Sequence, residues 1–245
     1  MTAETATHLA ETTLRGSREV AEGTMSFRFA RPAGFEFKAG QALELLLPDP
    51  ASPGKDFGHA FSIVSAPFED ELAIATRMRD SPYKKVLKAL PAGAHVRFDG
   101  PFGALTLHNK RSRAAVLIAG GIGITPFMSI IRQATHDRLP QKIALLYSNR
   151  RPEDAAFLAE LEGLAQANPE FRLAATMTEM AKSAQRWDGE RRLVDAAFVG
   201  DHARGLPDPV FYVAGPPALV EAMRRTLAEA GIDEDDIRSE DFYGY

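Results

Sequence analysis

Positions 58–67 read GHAFSIVSAP, a mostly apolar run with a histidine and two serines where a plain buried strand requires none. In a strand, His59, Phe61, Ile63 and Ser65 project to one face and Ala60, Ser62 and Val64 to the other. The run is either an aromatic platform beside a hydroxyl or a buried strand whose serines bond neighbouring backbone. Positions 119–130 read AGGIGITPFMSI, with Gly120, Gly121 and Gly123 between a buried strand and a helix that Thr125 can cap and Pro126 can start. Glycine lets the main chain approach a diphosphate closely, and a helix N-terminus adds unpaired N–H groups and a partial positive charge. The spacing departs from G-x-G-x-x-G, and the same glycines also suit a tight strand-to-helix connection. Positions 212–223, YVAGPPALVEAM, repeat the pattern at Gly215 and Pro216, where the alternative is a proline pair that only starts a helix. In an open parallel sheet both turns lie beyond the carboxyl ends of strands and can face one crevice.

Two different rhythms position these stretches. From Leu14 to about Leu107 the apolar residues alternate in short segments: Met25, Phe27 and Phe29; Leu43, Leu45 and Leu47; Leu72, Ile74 and Thr76; Val96 and Phe98. Turn-rich pieces such as RPAG and PDPASPGKD separate them, which predicts an antiparallel barrel or sandwich. One helix interrupts it at SPYKKVLKAL, with Ser81 as N-cap and Pro82 in the first turn. After LHNKRSR the order becomes strand and helix in alternation: AAVLIAG, TPFMSIIRQA, KIALLYS, PEDAAFLAELEGLAQA, FRLAATM, FYVAG, PPALVEAMRRTLAEAG and IRSEDF. Such alternation predicts a doubly wound parallel sheet with crossover helices. The boundary falls near residues 108–113.

Composition narrows the chemistry. The chain has 245 residues, 45% hydrophobic and 25% charged, enough for one large or two small globular domains. A net charge of −4 gives no basic excess for nucleic acid or an acidic membrane surface. The absence of cysteine excludes disulfides, Cys-ligated zinc and a cysteine-held iron–sulfur cluster within these residues, so electron transfer would need an organic cofactor. No apolar run approaches the roughly 20 residues of a spanning helix, and the polar start MTAETATHLAETT is no secretory signal. A cytoplasmic location is the expectation, with residues 1–13 a flexible tail.

In order and separation, these stretches resemble the ferredoxin–NADP reductase family from about Arg15 to Tyr245. HAFSIVS is similar to that family's R-x-Y-S-x-x-S flavin motif, GPFG at 100–103 to the close of its barrel, and GGIGITPFMSI and VAGPPALVEAM to its two nicotinamide-nucleotide motifs. The resemblance implies an antiparallel Greek-key FAD-binding barrel over 14–108 and a doubly wound NAD(P)-binding domain over 109–245. It further implies hydride transfer from NAD(P)H to FAD N5, with electrons passing to a separate ferredoxin, flavodoxin, oxygenase component or small-molecule acceptor. By the same resemblance Phe61 packs on the flavin and Ser62 bonds near N5. Ile63 belongs to that motif, Ala75, Thr76 and Arg77 meet the ring and its ribityl-phosphate end, and Ser81 contacts the diphosphate. The glycine-turn residues Gly120, Gly121, Gly123 and Thr125, with Gly215 and Pro216, hold the nucleotide.

Two positions depart from the family pattern. His59 stands where an arginine usually pairs with the FAD diphosphate, and a neutral imidazole lacks that permanent charged fork. Arg77, Arg79 or Lys84 are the candidates to replace the charge. Ala214 stands where many members carry a cysteine, which hydride transfer does not need. At the adenosine end, Ser148, Asn149 and Arg150 follow a parallel strand; arginine there suits a 2′-phosphate and Asn149 a free 2′-hydroxyl, so both NADH and NADPH are expected. In the terminal SEDFYGY, Glu240 is a candidate proton relay and Tyr245, or Tyr243, a candidate flavin cover, against a plain frayed strand end. A non-catalytic flavin- and nucleotide-binding sensor of the same shape is the competing reading.

Overall fold

The computed structural model describes residues 9–243. Its first half is an antiparallel sheet of six strands, β1 (Ala10–Ala21), β2 (Thr24–Ala30), β3 (Ala42–Pro48), β4 (Asp56–Ser62), β5 (Glu71–Arg77) and β6 (His95–Phe102), in the order β4-β3-β6-β1-β2-β5. The sheet curls until its two edges approach, where the Val64 N–H donates to the Ala73 carbonyl at 2.7 Å. The alternating residues read from the sequence fill the interior: Phe27, Phe29, Leu43, Leu45, Leu47, Leu72, Ile74 and Phe98 form one buried cluster. Helix α1 (Pro82–Ala89) interrupts the sheet, and the Ser81 hydroxyl caps it by accepting from the Lys84 N–H at 3.2 Å. Strand β1 begins inside the segment expected to be a loose tail. Ala10 to Thr13 pair with Phe98 to His95, and the Thr12 hydroxyl donates to the Ala30 carbonyl, so these residues have ladder partners that composition could not reveal.

The second half is a parallel sheet of β7 (Ala115–Gly120), β8 (Ile143–Asn149), β9 (Phe171–Met177), β10 (Val210–Gly215) and β11 (Ile237–Asp241), in the order β11-β10-β7-β8-β9. Helices α2 (Ile124–His136), α3 (Leu158–Ala167), α4 (Ala196–Ala203) and α5 (Pro217–Glu229) cover its faces. Strand order reverses between β7 and β10, and both glycine turns leave the sheet there, the place where open α/β sheets form a ligand crevice. No helix among the described residues is long and apolar enough to cross a membrane.

Three local outcomes differ from the sequence expectation. The helix expected over PEDAAFLAELEGLAQA splits into a 3-10 turn at Pro152–Asp154 and α3, because buried Phe157 takes a left-handed conformation (φ 62°) between them. Helix α4 was not anticipated; Asp195 caps it by accepting from the Phe198 N–H at 2.8 Å, and only Phe198 and Val199 anchor it. Thr125 does not cap α2. A 3-10 turn over Gly121–Gly123 runs straight into the helix, leaving Thr125 inside it, where its hydroxyl donates to the Ile122 carbonyl at 3.0 Å.

The two sheets share a packed seam along α2, where Val64, Ala73, Ala75 and Leu105 join Phe127, Ile130 and Ile131 in one apolar cluster. Arg132 fastens it. Its guanidinium meets both Glu160 carboxylate oxygens on α3, at 2.7 and 2.9 Å, and donates to the Val64 carbonyl at 3.2 Å. Glu69 lies 3.4 Å away on the opposite side of the seam. Arg132→Met is expected to lower the unfolding free energy by about 2–3 kcal/mol, below the range for a fully buried pair because both carboxylates remain partly hydrated. Urea denaturation measures this; a midpoint equal to the parent's would show that the fork contributes nothing.

Candidate functional site

At the end of β4 the alternation delivers His59 and Phe61 to one face, with ring centroids 4.8 Å apart and planes inclined by 23°. Tyr83 on α1 closes around the same pair, at 5.3 Å from His59 and 5.9 Å from Phe61, while its hydroxyl donates to the Leu45 carbonyl at 2.7 Å. The Lys84 ammonium stands 4.5 Å from the Phe61 ring centroid and donates to the Thr76 hydroxyl at 2.5 Å. Burial lowers the Lys84 pKa to about 8. Burial also lowers the His59 pKa, opposed by the Ala60 carbonyl and assisted by the Lys84 charge. The imidazole is thus biased to its neutral form, and the positive charge beside the Phe61 ring belongs to Lys84.

A cavity of about 250 Å³ opens beside these rings. Of the residues singled out in the sequence, it brings together His59, Phe61, Ser62, Ala75, Thr125 and Glu240. Phe102 and Tyr243, both largely exposed aromatics, stand at the same cavity. Ser65, the other serine of the opening run, is structural: its hydroxyl accepts from the Ala73 N–H at 2.9 Å, and its carbonyl accepts from the Ser129 hydroxyl at 2.7 Å. Tyr245 lies outside the described residues.

Burial raises the Glu240 carboxyl above the ordinary carboxylate range. With a folded pKa above the unfolded one, the native chain binds more protons between the two values, so stability falls as pH rises through that window. The cost is absent below the unfolded pKa and complete above the folded one. Glu240→Gln, neutral at every pH, is expected to melt a few degrees above the parent near pH 8 and level with it near pH 4. Paired thermal melts decide; an equal gain at both pH values would assign the effect to packing instead of charge.

A second cavity, about 210 Å³, lies at the switch between β7 and β10 and shares Ile122 as a wall with the first. It gathers Arg77, Gly120, Gly121, Ser148, Asn149, Arg150 and Pro216. Gly121 has φ +53°, which a side chain disfavours. The Asn149 side chain is buried beside the Tyr147 hydroxyl, which itself donates to the Ala156 carbonyl at 3.2 Å, and the Asn149 amide has no other hydrogen-bond partner among the described residues. A buried amide in this condition has hydrogen-bonding capacity left for water or a polar ligand. Arg79, one of the candidates named to replace the charge missing at His59, also lines this cavity, continuing the alternation Ala75, Arg77 past the end of β5; Thr178 lines it too and was not anticipated.

Five expected contacts line neither cavity. Thr76 points into the barrel with Leu72 and Ile74 and meets Lys84, because a strand alternates and its neighbours Ala75 and Arg77 take the cavity side. Ile63 is fully buried in the barrel cluster. Ser81 caps α1. Gly123 and Gly215 pack the two turns against each other.

Residues 117–225 match the family model described as an oxidoreductase NAD-binding domain. The chain is 30% identical over 208 residues to ferredoxin–NADP reductase B of Sorangium cellulosum, covering 82% of each protein. It is 25% identical over 210 residues to the reductase component 2 of terephthalate 1,2-dioxygenase from Comamonas, covering 84% of this chain but 60% of that protein. Among solved structures, a ferredoxin NADP+ reductase from Neisseria gonorrhoeae with bound FAD and NADP superposes with a TM-score of 0.80 at 22% identity, covering 95% of this chain and 98% of that one. The Amycolatopsis cytochrome P450 reductase GcoB superposes at 0.81 with 24% identity, covering 98% and 73%.

Proposed function

The chain belongs to the ferredoxin–NADP reductase-like family, and from that membership we propose a flavin-dependent NAD(P)H oxidoreductase that hands electrons to a separate acceptor, protein or small molecule. Residues 14–108 take FAD and residues 109–245 the nicotinamide nucleotide. The observation that carries this reading is the pair of cavities that share Ile122 as a wall, one lined by Phe61 and Ser62 and the other by the glycine turn after β7. When bound, FAD supplies a ring that takes hydride from nicotinamide and releases electrons singly or in pairs.

The residues present fit such a group. Phe61, with His59 and Tyr83 behind it, is a flat apolar wall, and Ser62 offers its hydroxyl at the cavity's edge. Lys84 stands behind Phe61, bonded to Thr76 inside the barrel, and lines neither cavity, so the positive charge that His59 does not supply falls to Arg77 and Arg79. Glu240, its carboxyl raised by burial, holds a proton further up the pH scale than an exposed glutamate and can exchange it at the cavity. In the second cavity the glycine turn admits a diphosphate, Arg77 and Arg79 bring positive charge, and the incompletely bonded Asn149 amide suits ribose hydroxyls. Arg150 is paired with Glu179 at 3.5 Å and remains largely exposed, which suits a site that accepts NADH and NADPH alike.

Anaerobic titration of the FAD-loaded protein with NADH and NADPH in parallel tests the proposal. Bleaching of the yellow chromophore by both is expected. A protein that binds FAD and nucleotide without bleaching would be the non-catalytic sensor, and one that binds no FAD would overturn the reading altogether.

A further inference from the structure

A third cavity, about 720 Å³, lies further along the seam between the two sheets. The first cavity touches α2 at Thr125; this one touches it at Ile130, Gln133 and Ala134. The eight helical steps from Thr125 to Gln133 span about 12 Å. Its walls come from both halves of the chain: Lys38 from the β2–β3 connection, Arg111 from the link between the sheets, and Arg238 from β11. Among the described residues no aspartate or glutamate lines it, although acidic residues outnumber basic ones, 33 to 29, in the whole chain. Asp137, at the end of α2, feels the Arg111 charge, and Asp236, bound to Arg113, feels His108.

Beneath the cationic wall lies an ordered polar floor. The His108 N–H donates to the Tyr212 hydroxyl at 2.9 Å, and the same hydroxyl lies 2.8 Å from His108 Nδ1. Gln141 reaches His108 Nε2 at 2.7 Å and donates to the Arg113 carbonyl at 2.9 Å, while being only 1% exposed. Arg238 is held in place by donating to the Thr106 carbonyl at 2.8 Å and by lying 5.4 Å over the Tyr212 ring. The guanidinium keeps further N–H groups for a ligand, since five donors are available on each arginine. Three positive side chains around one cavity, with no acidic lining and a fixed floor, form a receptor for negative charge.

We propose that this seam cavity binds a small multiply charged oxyanion, a polycarboxylate or a phosphate, through Lys38, Arg111 and Arg238. A ligand there bridges the two halves of the chain and stabilises the folded state in proportion to its occupancy. It does not depend on flavin or nucleotide chemistry, so the oxidoreductase reading can fail while this site stands.

Calorimetric titration of the full chain with citrate and, separately, with inorganic phosphate tests the site, with ionic strength held constant by chloride. The expected result is saturable binding of at least one anion at one site per chain, with a rise in melting temperature. A Lys38→Gln/Arg111→Gln double variant should bind about tenfold more weakly or worse, and Arg238→Gln should do likewise. Arg150→Gln, altered in the second cavity, should bind as the parent does. Tighter binding of citrate assigns a carboxylate ligand and tighter binding of phosphate a phosphoryl ligand. No saturable binding of either anion, undiminished binding by the double variant, or loss only in Arg150→Gln would each overturn the proposal.

Discussion

Gly123→Ala is expected to destabilise the fold by about 3 kcal/mol or more, at the upper end of overpacking costs because the obstruction is main chain. A Cβ on Gly123 would stand 2.1 Å from the Ala214 carbonyl oxygen and 2.7 Å from the Gly215 Cα. The backbone there is right-handed helical (φ −59°, ψ −7°), a conformation alanine prefers, so the effect isolates space from conformational freedom. To admit the methyl, the turn after β7 must move off the turn after β10. Those two turns line the second cavity through Gly120, Gly121 and Pro216, so nucleotide affinity should fall together with stability. Gly163→Ala is the control: it lies within α3 with nothing near its Cβ position, and alanine should be neutral or stabilising by up to about 1 kcal/mol. Urea unfolding of both variants reads the difference, and a Gly123→Ala midpoint matching the parent's would refute the close approach of the turns.

Ser62→Ala should separate rate from affinity. Ser62 is the last residue of β4, pairs with Ala42 through the backbone, and is buried at the first cavity. Removing its hydroxyl leaves the strand pairing and the Phe61 wall intact. A single neutral hydrogen bond contributes on the order of 1 kcal/mol to ground-state binding. A donor that strengthens where charge develops contributes more, so the rate at which NAD(P)H bleaches bound flavin should fall about tenfold to a hundredfold. FAD affinity should change by no more than about fivefold. Anaerobic stopped-flow absorbance gives the first quantity and flavin fluorescence the second. Equal bleaching rates in variant and parent would remove Ser62 from the reaction.

Much of the candidate site was legible because its signals are local. The apolar alternation from Met25 to Phe98 marks the barrel interior residue by residue, and Ser81 caps α1 as its position before Pro82 predicts. Thr76 shows where adjacency misled: it was grouped with Ala75 and Arg77 as a cofactor contact, yet the period of two already set it with Leu72 and Ile74, on the face that meets Lys84. Thr125 was read as a cap because threonine often is one. Three residues of 3-10 turn before α2 shifted the helix start to Ile124. Helix α4 is as long as α1 but buries only Phe198 and Val199, which are adjacent and set no helical period.

Local chemistry, written in consecutive residues, determined the two sheets, their order along the chain, the glycine turns and the aromatic-serine strand. Long-range geometry decided the rest. The departure at His59 acquires its meaning only when the fold keeps Lys84 inside the barrel and places Arg77 and Arg79 at the second cavity; the Asn149 amide falls short of partners only once β8 is buried beside β7; and Lys38, Arg111 and Arg238 are three unrelated surface charges until the seam along α2 places them around one cavity. The physical reason is that a strand or helix is specified by steric periods of two and 3.6 residues, whereas charge, burial and unmet hydrogen bonds depend on neighbours that are distant in the chain.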